Sequence, residues 1–158
     1  GLGADAFSIA AVNRIFQIKQ RPSGLALPVL VDSWGQALTV AQEAPDWARK
    51  LAQRFWPGPL TLILSKSEAL PVGVTGGGDT VAVRMPNHPV ALELIRGLGG
   101  PITGTSANRS GRPPLRTSHQ VRTEFKGAID FVLEGPVGRT NSPSSIRDAK
   151  SGEWVRGS

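Results

Sequence analysis

Apolar residues recur at helical spacing between Phe7 and Ile18, where Ile9, Val12, Ile15 and Phe16 would share one side of an amphipathic helix ending near Lys19. Pro22, Ser23 and Gly24 then interrupt the periodicity. From Leu27 to Val31 the pattern becomes a short apolar run with β-branched members, which predicts a buried strand. A short helix is predicted over Gly35 to Glu43. Pro45 fits the first turn of a further helix reaching Phe55, because the fixed φ of proline suits that turn and its missing N–H would be unpaired there anyway. Trp47 and Phe55 fall on the core side of that helical pattern. Pro57-Gly58-Pro59 stops the helix, and Leu60 to Leu64 reads as the next strand.

Further along, Gly76-Gly77-Gly78-Asp79 is a turn, and Thr80 to Arg84 alternates with the two-residue period of a strand. His88 to Arg96 reads as a helix with Asn87 as N-cap and Gly97 near its stop. A strand at Pro101 to Gly104, a loop from Arg109 to Leu115 and a short helix from Ser118 to Phe125 follow. The last predicted strands are Asp130 to Leu133, Ser145 to Asp148 and Glu153 to Arg156. Interspersed strands and helices predict an α/β fold bordering on α+β, a twisted mixed sheet with flanking helices. No repeat or low-complexity tract divides the chain, and its 158 residues suffice for one domain, 1–158, with its own core.

Composition narrows the chemistry more than the fold. Hydrophobic residues make up 39% and charged residues 19%, as in a soluble globular chain. No apolar run approaches the roughly 20 residues of a membrane helix, so no membrane partner is expected, and no secretory pattern opens the chain. With no cysteine, disulfides and thiolate metal sites are excluded, a composition compatible with the cytoplasm. Two histidines, His88 and His119, are too few for a histidine metal cluster and lack the partners of a hydrolase triad. A Mg²⁺ accompanying a nucleotide stays open. The net charge of +6 fits a nucleotide, RNA or another polyanion, or a basic surface that only aids solubility.

Two segments carry the binding chemistry. Pro101 to Gly111 passes from a strand end into Thr105, Ser106, Asn108 and glycines, a low-bulk turn rich in hydroxyl and N–H donors. The alternative reading is a self-capped turn. Lys19 and Arg21 lie two apart; in an extended segment they would point the same way and clamp a triphosphate, and otherwise they form a solvated helix end. Arg84 closes a strand where it would meet a substrate carboxylate or a surface ion-pair partner. The triple glycine lacks the P-loop pattern and reads as a flexible turn.

In order along the chain, Gly1-Leu2-Gly3-Ala4-Asp5-Ala6, Lys19-Gln20-Arg21-Pro22, Arg54-Phe55-Trp56-Pro57-Gly58-Pro59-Leu60-Thr61, Thr80 to Pro86, Thr105 to Gly111 and Ser144-Ser145-Ile146-Arg147-Asp148 resemble the Sua5/YrdC/YciO family. The resemblance covers nearly the whole chain. It implies a sheet around a concave basic cavity, and an enzyme that joins L-threonine, bicarbonate and ATP into L-threonylcarbamoyladenylate and pyrophosphate for the t6A modification of tRNA. By position it assigns Lys19, Arg21, Thr80, Ser106, Asn108 and Arg156 to ATP, and Arg84, Gly104 and Ser144 to L-threonine. No catalytic general base is assigned, Mg²⁺ is expected with the triphosphate, and other proteins would carry the threonylcarbamoyl group to tRNA.

The departures from the family are specific. Its strand before Gly-Leu-Gly, which supplies a threonine contact, does not precede Gly1, so residues 1–158 are expected to be a domain lacking its N-terminal strand. Apolar residues at Leu25 to Leu30 replace a usual polar one, Pro143 stands where many relatives have Glu, and Gly157-Ser158 resembles a cloning remnant. Two other readings compete: a module binding tRNA or double-stranded RNA, and a related carbamoyl-adenylate-forming domain as in hydrogenase maturation proteins.

Overall fold

In the computed structural model, which describes residues 1–135, 137 and 144–156, the first helix begins where the Ser8 hydroxyl accepts from the Ala11 amide at 3.2 Å. This cap satisfies one of the donors that a helix start leaves unpaired. Helix α1 (Ile9–Lys19) buries Val12, Ile15 and Phe16 and stops where Gln20 turns left-handed, φ 51°, with its amide bonded back to Phe16 and Gln17. There follow β1 (Val29–Leu30), α2 (Trp34–Val40), α3 (Asp46–Phe55), β2 (Leu60–Ser65), α4 (Val72–Thr75), β3 (Thr80–Arg84), α5 (Pro89–Leu98), β4 (Ile102–Thr103), α6 (Ser118–Glu124), β5 (Ser145–Asp148) and β6 (Trp154–Arg156).

The strands form one six-stranded mixed sheet in the order β4-β1-β3-β2-β5-β6. β1 runs parallel to β3 and β2 to β5, and the other neighbours are antiparallel. Residues opposite each other across a ladder point to the same face. The register pairs Ile102 with Leu30, Leu30 with Arg84, Thr61 with Ile146, and Ile146 with Arg156. The Leu62–Val83 pair sets Arg84 beside Thr61. One row therefore runs Ile102, Leu30, Arg84, Thr61, Ile146, Arg156 across the sheet, roughly 24 Å at the usual strand spacing. Two-residue alternation adds Thr80, Gly104 and Ser144 to the same face. On the opposite face Val29, Leu62, Leu64, Val81 and Val83 are fully buried. Phe16, Val40, Ala52 and Val74 from α1 to α4 join those side chains in one core.

The segment before α1 follows the outer side of β4. Leu2 and Thr105 exchange main-chain bonds at 2.8 and 3.0 Å, and Thr103 donates to Ala4 at 2.7 Å. Leu2 is buried there, which fixes the Gly-Leu-Gly stretch against the strand that leads into the turn at Thr105.

Several elements differ from the sequence reading. Asp130 to Leu133 forms no strand. Its flanks are held instead by side chains: Arg14 donates to both Asp130 oxygens at 2.8 and 2.9 Å, and Arg122 bonds Glu134. α4 escaped prediction because it is a single turn, closed by Gly76 at φ 62°, where a Cβ would sit 2.5 Å from the Gly24 oxygen. The triple glycine is thus a helix cap as well as a turn. α5 starts from His88 rather than Asn87, and Gly99, not Gly97, ends it in a left-handed conformation. Phe55, expected in the core, is 42% exposed and stacks against the Arg54 guanidinium. No described helix is long and apolar enough to cross a membrane.

Candidate active site

The turn after β4 is built onto the C-terminal end of α1. Lys19, only 1% exposed, directs its ammonium at the Ser106 oxygen (2.5 Å), the Asn108 oxygen (2.8 Å) and Asn108 Oδ1 (3.1 Å). An ammonium carries three N–H donors, so each one has an acceptor. The Ser106 hydroxyl donates to the same Oδ1 at 2.6 Å, while Asn108 Nδ2 donates to the oxygens of Arg109 and Arg112 at 3.0 and 2.6 Å. In return the turn caps the helix: Ser110 N donates to the Lys19 oxygen at 2.8 Å and Arg109 Nη1 to the Ile18 oxygen at 3.2 Å. Burial, and after it the charge of Arg21, hold the Lys19 ammonium below the usual lysine range.

Lys19 and Arg21 do not flank an extended segment as the sequence suggested. The left-handed Gln20 between them sends Lys19 into the turn and Arg21 into its own loop, where Nη2 donates to the Ala26 oxygen at 2.9 Å. Arg21 Nε is buried and has no partner among the described residues. A cavity of about 360 Å³ opens beside the turn, lined by Asn108, Arg109, Arg112 and Arg116 among others.

The open sheet face carries the second cluster. Arg84, half-buried at the end of β3, donates through Nε to the Gly58 oxygen at 2.9 Å, and Gly58 N donates back to the Met85 oxygen at 2.9 Å. The Pro57-Gly58-Pro59 corner thereby fixes the arginine, whose Nη groups have no acceptor among the described residues. This is a carbonyl anchor, not a surface ion pair. Burial draws the guanidinium below the usual arginine range, without removing its charge. Ser144 shares a hydrogen bond of 2.9 Å with Thr61, and Arg156 Nε donates to the Ser144 oxygen at 2.9 Å. Thr61 was not singled out from the sequence. Its signal was a threonine inside the apolar run Leu60 to Leu64, a polar group that burial obliges to find a partner.

Arg84, Ser144 and Arg156 therefore share one sheet face, Ser144 and Arg156 in contact and Arg84 three strands from Arg156, and Lys19, Ser106 and Asn108 meet at the helix end. Thr80, exposed at the start of β3, shares the face of Arg84 roughly 13 Å away. Gly104 lies on the same sheet face, two residues before Ser106 in the chain. Its amide donates to the Pro28 oxygen at 2.8 Å, and a Cβ there would lie 2.7 Å from Leu30 Cδ1. Gly104→Ala is expected to lower stability by about 1–3 kcal/mol through that overlap. A urea midpoint unchanged from the parent chain would contradict the close approach. Pro143 lies outside the described residues. Among the described residues no three His, Asp or Glu side chains are grouped so as to hold a metal ion.

Comparison with known proteins gives a consistent result. The Sua5/YciO/YrdC family, described as telomere recombination, matches residues 1–156. The threonylcarbamoyl-AMP synthase of Pyrococcus abyssi is 46% identical over 154 residues, which cover 98% of this chain and 45% of that relative. The chain thus spans less than half the length of that relative. Threonylcarbamoyl-AMP synthases of Cellvibrio japonicus and Pseudomonas putida are 37% and 40% identical, with 82% and 84% of their lengths covered. Among solved structures, P. abyssi Sua5 complexed with L-threonine superposes with a TM-score of 0.90 at 46% identity, over 98% of this chain and 45% of that one. E. coli YciO, at 23% identity and a TM-score of 0.81, shares the fold.

Proposed function

The chain belongs to the Sua5/YciO/YrdC family, and on that premise we propose that it makes L-threonylcarbamoyladenylate from L-threonine, bicarbonate and ATP. The observation that carries this reading is that Arg84, Ser144 and Arg156 share one sheet face with Gly104, which leads along the chain into the Lys19–Ser106–Asn108 turn. The first group suits a small zwitterion and the second an anion. The relatives named above supply the chemistry, and one of them binds L-threonine.

In this reading the Nη groups of Arg84 pair with the threonine carboxylate, and Ser144, oriented by Thr61, holds its other polar end. Thr80, Arg156, Arg21, Ser106 and Asn108 receive the nucleotide. The threonine amine takes up bicarbonate with loss of water. A carbamate oxygen then attacks the α-phosphorus, and the bond to the β-phosphate oxygen breaks to release pyrophosphate. None of the residues assigned to the substrates is a carboxylate or histidine placed to act as base. The protein contributes position and positive charge, which is where most of the barrier lowering in phosphoryl chemistry arises. Mg²⁺ would enter as part of the nucleotide substrate, bound through its phosphates. The product serves tRNA modification by other proteins in the cytoplasm.

Pyrophosphate release from Mg·ATP is expected to require both threonine and bicarbonate. Release at the same rate without threonine would identify a plain ATP hydrolase and refute the proposal.

A further inference from the structure

Arg147 lies on the sheet face away from the substrates, yet its environment bears on them. Its guanidinium carbon stands 4.9 Å from the ring centre of Trp47 on α3 and 5.1 Å from that of Trp154 on β6. Its Nε donates to the Gly152 oxygen at 3.0 Å, within the turn that joins β5 to β6. A planar cation between two indoles is favourable on both sides, and no lysine reproduces that geometry.

Asp148 holds the turn of the hairpin that Arg147 clasps, its Oδ1 accepting from the Lys150 and Ser151 amides and its main chain pairing with Gly152 and Glu153, but beyond the turn β6 has few other contacts to hold it. All three residues of β6 are exposed, β6 pairs with β5 alone, and the ladder is irregular between Ile146 and Arg147. In a strand exposed on both faces, burial does not specify register, and a slip by one residue turns every side chain to the other face. Here the faces differ in task. Trp154 opposite Arg147 faces α3, and Arg156 opposite Ile146 faces the site, where it bonds Ser144.

We infer that Arg147 is a positioning residue: the Trp47–Arg147–Trp154 stack sets the register of β6 and so delivers Arg156 and Ser144 to the substrate face. The inference deepens the proposed synthase reading and rests on it for its kinetic consequence, while the register itself can be observed without any activity.

The test compares Arg147→Ala, Arg147→Lys and Arg156→Ala by kinetics and by hydrogen exchange. Arg147→Ala is expected to raise KM for ATP and threonine about tenfold with a smaller change in kcat, because the contacts are misplaced rather than removed. Arg147→Lys is expected to restore less than half of that loss. The double variant Arg147→Ala/Arg156→Ala should bind ATP no more weakly than Arg156→Ala alone, a non-additivity that general destabilisation would not produce. In exchange experiments the amides of β6 should lose protection in Arg147→Ala while those of α1 keep theirs. Unchanged β6 protection would overturn the inference even in a preparation without synthase activity. Lost protection with an unchanged KM would overturn the link to the substrates. Absence of activity in the parent chain, with β6 protection lost in the variant, would uphold the clasp and count against the synthase reading alone.

Discussion

Arg84→Met is expected to reduce kcat/KM for threonine by about 10²–10³-fold while leaving the fold in place. The side chain ends a central strand, its Nε is spent on Gly58, and its Nη groups face the open side of the sheet. Losing a charge-assisted, two-pronged bond to a partly desolvated carboxylate costs roughly 3–4 kcal/mol, and every 1.4 kcal/mol is tenfold. Arg84→Lys keeps the charge but cannot hold Gly58 and a carboxylate together, so it is expected to recover only part of the loss. Titration of threonine into each variant checks this directly. Threonine affinity in Arg84→Met equal to that of the parent chain would remove Arg84 from the site.

Lys19→Met should act on the fold as much as on the nucleotide. The sequence treats Lys19 and Arg21 alike, as a clamp on a triphosphate or a solvated helix end, but the two are not equivalent. Lys19 is buried with three oxygen acceptors; methionine removes all three charged bonds, leaves the Asn108 main-chain oxygen without a donor, and leaves the Ser106 oxygen and Asn108 Oδ1 with only Asn108 N and the Ser106 hydroxyl. At the value of a hydrogen bond to a charged group, partly offset by water entering the gap, the expected loss is about 3 kcal/mol. For a chain of this size that lowers Tm by about 6–12 °C. Arg21→Met, whose guanidinium holds one carbonyl in its own loop, is expected to move Tm by less than about 3 °C while weakening ATP. Equal melting of the two variants would show that the ammonium does not pin the turn.

The contrast shows what a sequence discloses. α1, β2 and β3 were legible because their periodicity reflects a buried face and local signals mark their ends. The candidate residues on Pro101 to Gly111 were legible because the residue types that receive anions are few. Burial of Lys19 was not legible, because it depends on a turn 87 residues away docking on the helix end. Thr61 was hidden for the same reason, its partner Ser144 arriving from a distant strand. The strand expected at Asp130 to Leu133 had the right composition, but Arg14 and Arg122 hold its flanks by side chains, a tertiary effect no local pattern encodes. Arg147 reads locally as part of a polar strand end, and only the ladder shows it between two tryptophans.

The central claim is that this chain couples threonine, bicarbonate and ATP on one sheet face. The most direct measurement supplies ¹³C-bicarbonate, L-threonine and Mg·ATP and follows the adenylate product by mass spectrometry. The expected product is an adenylate that contains threonine and one carbon from the labelled bicarbonate, and that disappears when threonine is omitted. A chain that forms no such adenylate under these conditions, or forms one without the label, would contradict the claim.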